Sequence, residues 1–287
     1  MIDKLGLGTV QFGCNYGIAN RKGQTPPAEA FKILKWADRL GMKTLDTSCG
    51  YGESEKVLGD FLSENNCSFD VVSKFSSSGG LVEDAFKCSL SRLQSQKLYG
   101  YLIHHFEDFK KNPGLWKSLE QLKKKELVKK IGFSLYLPEE LELLFKKKIT
   151  PDIIQIPYSV FDRRFEPYFE TLKVLGVEIH TRSSFLQGLV YLNPKALSGN
   201  LKEARKPLEK LQSIAAAEKI STSALCLNYV LLSPSVDRVI IGVDSLKQFK
   251  DNVGQLNFTA RVTELKVKLD ALAIEDENIL LPYKWSQ

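Results

Sequence analysis

Four ionisable side chains lie at or shortly after the ends of short apolar runs. They are Asp46, Tyr51, Lys74 and His104. A free phenol with a pKa near ~10 is a poor acid at neutral pH, but a neighbouring ammonium favours its phenolate and lowers that value. Tyr51 would then act as a general acid, with Lys74 supplying the charge and Asp46 fixing Lys74. A neutral His104 could donate a hydrogen bond to a carbonyl oxygen, so the set predicts proton transfer without a covalent intermediate or a metal.

The same residues leave other interpretations open. Each residue taken alone is typical of a solvated strand end or a structural position, whereas four in consecutive units favour a site. Lys74 could instead be the amine of a Schiff-base aldolase. Cys49 lies between Asp46 and Tyr51 and could be a nucleophile, but no base is assigned to it and small residues suit this turn. A spacer role for Cys49 is therefore favoured.

Short β-prone apolar runs alternate with longer amphipathic segments, which is typical of a parallel sheet with helical crossovers. The predicted strands are 5–8, 43–45, 70–73, 100–103, 130–133, 153–156, 177–181 and 238–241. The predicted helices are 28–40, 54–65, 82–93, 114–125, 138–147, 165–175, 202–218 and 245–252, with extra helices at 222–232 and 261–273. Eight such units predict the α/β class and a single-domain (β/α)8 TIM barrel over residues 1–287, with its chemistry at the carboxyl ends of the strands.

Composition favours a globular protein in a reducing compartment. The chain has 287 residues, 43% hydrophobic and 26% charged, and no apolar run approaches the ~18 residues needed to span a bilayer. Five irregularly spaced cysteines without a C-x-x-C pair argue against a disulfide framework and against structural zinc, and fit the cytoplasm. The net charge of +6 comes largely from lysine runs near predicted helix ends, which favours a solvated face over a nucleic-acid patch.

The motif series resembles that of the aldo/keto reductases. The similar segments are LGLGTVQFG (5–13), LDTSCGYGESEKVLG (45–59), VVSKF (71–75), YLIHH (101–105), KKIGFSL (129–135) and IQIPYSVFDRR (154–164). The most specific element is D-T-x-x-x-Y-G-x-S-E, followed by Lys and His. The resemblance implies that Asp46, Tyr51, Lys74 and His104 form a catalytic tetrad that reduces a small-molecule carbonyl substrate with NADP or NAD, and that no metal takes part.

The resemblance also implies where a nicotinamide cofactor would bind, without a G-x-G-x-x-G motif. Ser134 and Gln155 would hold the carboxamide, and Gly242, Asp244, Gln248 and Asn252 would contact the adenosine end. The remaining implied cofactor residues are Gly8, Thr9, Val10, Asp46, Arg182, Ser183, Phe185, Gln187 and Gly188. Taken without the tetrad, most of these residues would be typical of loops and helix caps.

Three positions depart from the family pattern. Leu135 follows Ser134 where relatives often have Asn, which removes one amide from the carboxamide site. Asp244 stands where relatives that prefer NADP place basic residues. The usual preference of the family favours NADP, whereas the negative charge of Asp244 favours NAD. Lys247 or Lys250 could still reach a 2′-phosphate. Arg182 stands where many relatives stack an aromatic ring on the nicotinamide. It would repel the oxidised ring and favour carbonyl reduction, or face an acidic substrate group or a protein carboxylate.

The substrate pocket is predicted between the loop 12–21, the barrel rim and the tail 280–285. Tyr16, His105 and Trp285 are its candidate lining residues, although such aromatics also commonly cover a barrel rim. The segment TVQFGCNYGIAN resembles bacterial branches that act on sugars, which favours a keto- or aldo-sugar as substrate. The alternative is a non-enzymatic module that binds cofactor to sense redox state or dock a partner. The sequence predicts neither a nucleic-acid nor a membrane partner, and it gives no oligomeric state.

Overall fold

The computed structural model describes residues 1–77 and 80–285. Eight strands form a closed parallel barrel in the order β1 to β8, with β8 pairing back to β1. The strands are β1 Leu5–Gly8, β2 Thr44–Asp46, β3 Asp70–Phe75, β4 Leu98–Ile103, β5 Val128–Ser134, β6 Ile153–Pro157, β7 Glu178–Arg182 and β8 Arg238–Gly242. The predicted (β/α)8 barrel is therefore confirmed.

Helices follow the strands and cover the outside of the barrel. The α-helices are α1 Val10–Gly13, α2 Pro27–Arg39, α3 Ser54–Glu64, α4 Val82–Arg92, α5 Phe106–Lys111, α6 Gly114–Lys124, α7 Pro138–Lys146, α8 Phe169–Val174, α9 Arg205–Glu218, α10 Thr222–Leu231, α11 Leu246–Val253, α12 Thr259–Glu264, α13 Lys266–Asp270 and α14 Glu277–Leu280. Short 3-10 helices occupy Ile2–Lys4, Glu166–Tyr168, Leu186–Tyr191, Pro194–Ala196, Gly199–Ala204, Leu256–Phe258 and Pro282–Lys284.

The main hydrophobic core lies between the barrel and its helices. Side chains such as Leu34 on α2 and Ile154 on β6 are fully buried in it. A small separate cluster of Val72, Leu102 and Ile153 fills the barrel interior. Branched apolar side chains are the usual filling of such interiors, and here they lie beneath the polar strand ends described below.

The strands extend further toward their carboxyl ends than the apolar runs predict. Asp46, Ser134 and Arg182 are the last residues of β2, β5 and β7, and Lys74 is inside β3. The sequence analysis placed such polar residues just past the strands. That placement is wrong by one or two residues, because parallel pairing continues through the polar positions and fixes their backbone. The side chains consequently start from a rigid ladder rather than from loops.

Three predicted helices are interrupted, two of them next to a proline. Pro167 and Pro207 lack the amide hydrogen that an α-helix needs, and 3-10 turns precede the α-helical bonding of α8 and α9. The predicted helix 261–273 is divided into α12 and α13 at Leu265. The sequence analysis missed α5, which directly follows His105.

Three features of residues 1–77 and 80–285 bear on the function class. None of the described helices is long and apolar enough to cross a membrane. In the same part of the chain, no group of three or more His, Cys, Asp or Glu side chains is arranged to hold a metal ion. All five cysteines are free thiols.

Candidate active site

Asp46 and Lys74 form a buried ion pair at the carboxyl ends of β2 and β3. Lys74 Nζ lies 2.6 Å from Asp46 Oδ1 and donates a second hydrogen bond to the carbonyl of Thr47 at 2.9 Å. Asp46 Oδ2 accepts a hydrogen bond of 2.7 Å from Gln155 Nε2. Burial lowers the pKa of Lys74, while the attraction of Asp46 opposes that shift. The pair therefore holds an ammonium where an isolated one would be strongly disfavoured.

Tyr51 stands on a tight turn directly above this pair. Lys74 Nζ is 5.1 Å from the centroid of the Tyr51 ring. Two hydrogen bonds hold the turn. The Tyr51 amide donates to the Ser48 carbonyl at 3.0 Å, and the Ser54 amide donates to the Tyr51 carbonyl at 3.0 Å. Within the described chain, the Tyr51 hydroxyl has no hydrogen-bond partner. Its proton is therefore free to be given to a ligand.

The expected lowering of the Tyr51 pKa is not what the structure gives. Burial raises the pKa of Tyr51, the Asp46 carboxylate raises it further, and the positive charge of Arg182 lowers it only in part. The physical reason is that Lys74 approaches the ring rather than the hydroxyl and is already neutralised by Asp46. The phenol is consequently held in its protonated form at neutral pH.

His104 follows β4 and is held beside Tyr51. Its Nδ1 lies 3.0 Å from Ser48 Oγ, and its ring meets the Tyr51 ring edge to face at 5.4 Å. Burial, and then the charge of Lys74, lower the pKa of His104 well below its ordinary value. The imidazole is therefore neutral near pH 7, as the sequence analysis expected. His105 stacks on it at 4.4 Å and is exposed.

A cavity at the carboxyl end of the barrel, named here the rim cavity, brings most of the predicted site residues together. The predicted residues that line it are Gly8, Thr9, Val10, Tyr16, Asp46, Tyr51, Gln155, Arg182, Ser183, Phe185, Gln187, Gly188, Gly242, Asp244 and Gln248. The cavity runs from the Asp46 and Tyr51 end of the barrel to the loop after β8. The residues at the carboxyl ends of β1, β2, β6, β7 and β8, and in the loops after β1, β2, β7 and β8, thus share one cavity.

The other predicted site residues do not line the rim cavity. Ser134 reaches it only through a 3.5 Å contact between its hydroxyl and Gln155 Oε1. Asn252 is buried on α11. The indole nitrogen of Trp285 donates to the carbonyl of Ile279 at 2.9 Å, and the ring packs on the hydrophobic core, which keeps it away from the cavity. Lys74, His104 and His105 are also outside the lining, the first two in contact with Tyr51.

Two cavity residues that the sequence analysis missed carry unpaired polar atoms. Gln11 Oε1 and Ser184 Oγ are buried, and neither has a hydrogen-bond partner among the described residues. Buried polar atoms normally have partners, so these two favour a polar ligand in the rim cavity. Gly242 leaves room for that ligand, since a Cβ there would lie 2.6 Å from the Gln11 amide. The sequence signal for Gln11 and Ser184 was their position, directly after the predicted cofactor residues Val10 and Ser183.

The loops after β1 and β7 meet at the rim cavity. The Ile18 amide donates to the Gln187 carbonyl at 3.1 Å, and Gln187 and Gly188 both have positive φ. A Cβ on Gly188 would come 2.7 Å from the Cβ of Ala19. The two loops therefore enclose the cavity on one side through a close backbone contact.

Arg182 leans across the carboxyl end of β6 toward β5. Its guanidinium carbon is 4.0 Å from the centroid of the Tyr136 ring, and Nη2 donates to the Leu135 carbonyl at 2.9 Å. Nη1 lies 3.4 Å from Ser183 Oγ. Among the described residues no carboxylate lies within ion-pair distance of Arg182. Arg182 thus forms no ion pair with a protein carboxylate of the described chain, although the charge of Arg182 reaches Glu140.

Asp244 lies in the loop after β8 and lines the rim cavity. Its amide donates to Gln248 Oε1 at 2.7 Å, and burial raises the pKa of its carboxyl group while Lys22 opposes the shift. The nearby lysines of α11 have other partners: Lys247 pairs with Asp251 at 2.7 Å, and Lys250 lies 5.9 Å from the Trp36 ring. The charge that faces the cavity from this loop is therefore negative.

Comparison with known proteins agrees with this geometry. The model of the aldo/keto reductase family matches residues 4–271. The chain belongs to the aldo/keto reductase family. Aldo/keto reductases are oxidoreductases that use NAD(P)H, and this assignment confirms the family predicted from the motifs.

Individual relatives of this aldo/keto reductase are distant. A Bacillus subtilis protein named an uncharacterized oxidoreductase is 25% identical over 296 residues, covering 93% of this chain and 91% of the relative. The holo form of an aldo-keto reductase from Bacillus halodurans has a TM-score of 0.76 at 23% identity, covering 96% of this chain and 95% of that one. A glycerol dehydrogenase from Gluconobacter oxydans has a TM-score of 0.74 at 20% identity, covering 94% and 90%. At these identities the structures show a shared fold alone.

Proposed function

We propose that this aldo/keto reductase reduces the carbonyl group of a small aldehyde or ketone, with Tyr51 as the general acid. The observation that carries the proposal is the fully buried Lys74 between the Asp46 carboxylate and the Tyr51 ring, at 2.6 Å from the carboxylate and 5.1 Å from the ring centroid. Burying an ammonium is costly unless it is paired and hydrogen-bonded, and Asp46 and the Thr47 carbonyl do both here. The pair keeps a cation beside the ring of Tyr51, where it can stabilise the phenolate that forms when the proton leaves.

Each residue has a defined part in the proposed reaction. A nicotinamide cofactor bound in the rim cavity would supply the hydride that the substrate carbon accepts. Tyr51 holds its proton until the carbonyl oxygen gains negative charge, and then transfers that proton to the oxygen. Lys74 stabilises the phenolate that remains. His104 donates a hydrogen bond to the same oxygen from Nε2, which requires the tautomer in which Ser48 donates to Nδ1.

The contacts of Lys74 weigh against a Schiff-base aldolase. A Schiff-base amine must be neutral and accessible when it attacks a carbonyl. Lys74 has no exposed surface, and its Nζ donates to both Asp46 and the Thr47 carbonyl. Treatment with substrate and borohydride should therefore leave no adduct on Lys74.

For the cofactor we propose NADH rather than NADPH. A 2′-phosphate beside the loop after β8 would meet the Asp244 carboxylate, whereas a 2′-hydroxyl could donate a hydrogen bond to it. Lys247 contacts Asp251, Lys250 lies over the Trp36 ring, and neither is among the residues that line the rim cavity. The substrate prediction of a keto- or aldo-sugar and the cytoplasmic location rest on the sequence alone.

The test is cofactor consumption by the purified chain and by Tyr51→Phe, with NADH and NADPH against a panel of aldehydes, ketones and sugars. Tyr51→Phe should lose at least about a hundredfold in kcat while still binding the cofactor. Tyr168→Phe, which removes a hydroxyl at the barrel surface, is the matched control and should keep full activity. Cofactor binding without turnover of any carbonyl by the unaltered protein would support the binding module instead.

A further inference from the structure

Arg182 contributes a positive charge to the cavity that holds the Tyr51 side chain. Both residues line the rim cavity, and Arg182 is the only basic residue among its described lining residues. The charge acts on the reacting groups, because it works to lower the pKa of Tyr51 and of His104. Lys74 is paired with Asp46, whereas Arg182 is a cation without a carboxylate partner among the described residues.

The Arg182 guanidinium has more N–H donors than its hydrogen bonds within the described chain use. An arginine carries five N–H donors, and Arg182 uses two of them in hydrogen bonds to the Leu135 carbonyl and Ser183 Oγ. Burial raises the pKa of the nearby Glu140, and Arg182 opposes that rise only in part; the Glu140 carboxylate accepts the amides of Tyr136 and Leu137 at 2.7 and 3.1 Å. Arg163 and Arg164, by contrast, pair with carboxylates elsewhere in the described chain.

One face of the guanidinium is covered, which fixes its direction. The Tyr136 ring stacks on it at 4.0 Å and is itself braced by Tyr283 at 5.2 Å. A planar guanidinium held in this way presents its edge as a fork of parallel donors, which matches the two oxygens of a carboxylate.

We propose that Arg182 binds a carboxylate of the carbonyl substrate, so that the enzyme prefers oxo acids to neutral aldehydes and ketones. This inference rests on the proposed function, since it names the substrate class of the same site. The arginine would orient the substrate by its acid group and leave the carbonyl oxygen beside Tyr51 and His104. It would also make an uncharged analogue of the same shape a poor substrate, because the guanidinium would lose its partner.

The test compares 4-oxobutanoate with its methyl ester, which has nearly the same shape and no charge. With NADH, kcat/KM for the acid should exceed that for the ester by about tenfold or more, as expected for a charge-assisted hydrogen bond. In Arg182→Met the ratio should fall to about one, while Arg182→Lys should keep part of it. Lys268→Gln removes one exposed charge on α13, remote from the cavity, and should leave the ratio unchanged.

Calorimetric binding of succinate to the protein saturated with NADH gives a readout that does not need turnover. The unaltered protein should bind succinate and Arg182→Met should not. Equal turnover of acid and ester, or a ratio that survives in Arg182→Met, would overturn the inference and leave the proposed reductase intact. If no carbonyl is turned over, the reductase proposal fails and succinate binding alone decides on Arg182. If Arg182→Met changes only the relative affinity for NAD+ and NADH, the guanidinium acts on the cofactor and the inference is overturned.

Discussion

Gly13 and Tyr51 approach so closely that no side chain fits between them. A Cβ on Gly13 would lie 1.7 Å from the Tyr51 carbonyl oxygen and 2.5 Å from the Ser54 amide nitrogen. On the other side of the contact, Gly52 has a φ of +51° and a Cβ there would come 2.3 Å from the Gly13 carbonyl. The turn that carries Tyr51 is thus braced against α1 by two glycines.

Gly13→Ala should therefore displace Tyr51 from Lys74 and His104. We expect kcat to fall by about 10- to 100-fold, because proton transfer depends on geometry at the ångström scale. Gly59→Ala is the matched control, since a Cβ there would meet the Arg92 carbonyl at 2.0 Å, far from the site. Both variants should lower the free energy of unfolding, measured in urea. Equal kcat values in the folded fractions of the two would show that the Gly13 contact does not position Tyr51.

The barrel and the tetrad could both be predicted from the sequence, because both depend on where the apolar runs end. Asp46, Lys74 and His104 each follow an apolar run, and parallel pairing brings the carboxyl ends of neighbouring strands to one rim. Contacts that depend on loop paths were beyond such reasoning. The packing of long loops keeps Trp285 away from the rim cavity and brings Ile18 into contact with Gln187. The periodicity of the sequence gives no information on that packing.

The charge balance around Tyr51 was also out of reach from the sequence. The pattern showed that an ammonium and a phenol would be neighbours, but the sign of the Tyr51 pKa shift depends on burial and on the Asp46 carboxylate. Arg182 shows the same limit. The sequence placed Arg182 just past the predicted seventh strand, whereas its position on β7, its stacking on Tyr136 and its lack of a described carboxylate partner required coordinates.

Asp46→Asn should leave the Lys74 ammonium buried without a counterion. We expect a loss of about 3–5 kcal/mol in the free energy of unfolding at pH 7. The pKa of Lys74 is already lowered by burial and would fall further, so the loss should shrink as the pH rises toward the pKa of an unfolded lysine, near ~10.4. Urea unfolding at pH 7 and at pH 9.5 measures this. Asp251→Asn, which breaks the exposed pair with Lys247, should cost about 0.5 kcal/mol or less at both values.

Glu178 makes the barrel sensitive to acid. It lies 2.8 Å from Lys130 Nζ and accepts the Tyr99 hydroxyl at 3.0 Å, close to the fully buried His180. Burial would raise the pKa of Glu178, but His180 and Lys130 outweigh it and the net shift is downward. A depressed carboxyl pKa stabilises the fold above the unfolded value near ~4.3, and that stability is lost as the pH falls below it.

Glu178→Gln should consequently be less stable than the unaltered chain at pH 7, and the difference should narrow between about pH 5 and pH 3. Thermal unfolding across that range is the measurement. Glu120→Gln, an exposed position on α6, should follow the unaltered chain throughout. A constant difference between Glu178→Gln and the unaltered chain at every pH would mean that the side chain stabilises by packing, not by charge.

Asp244 should set the choice between the two nicotinamide cofactors. Because its carboxylate faces the rim cavity and the α11 lysines are engaged elsewhere, replacing it with serine removes the negative charge without adding bulk. We expect the ratio of kcat/KM for NADPH over NADH to rise by about tenfold in Asp244→Ser, mostly through a lower KM for NADPH. Asp251→Asn, on the same helix but outside the cavity lining, separates this local effect from a general change in charge. The KM for the carbonyl substrate should be the same in all three proteins, since Asp244 follows β8 whereas the proposed substrate residues Tyr51 and Arg182 belong to the β2 and β7 units. If the NADPH-to-NADH ratio of kcat/KM does not change in Asp244→Ser, the adenosine lies away from this loop.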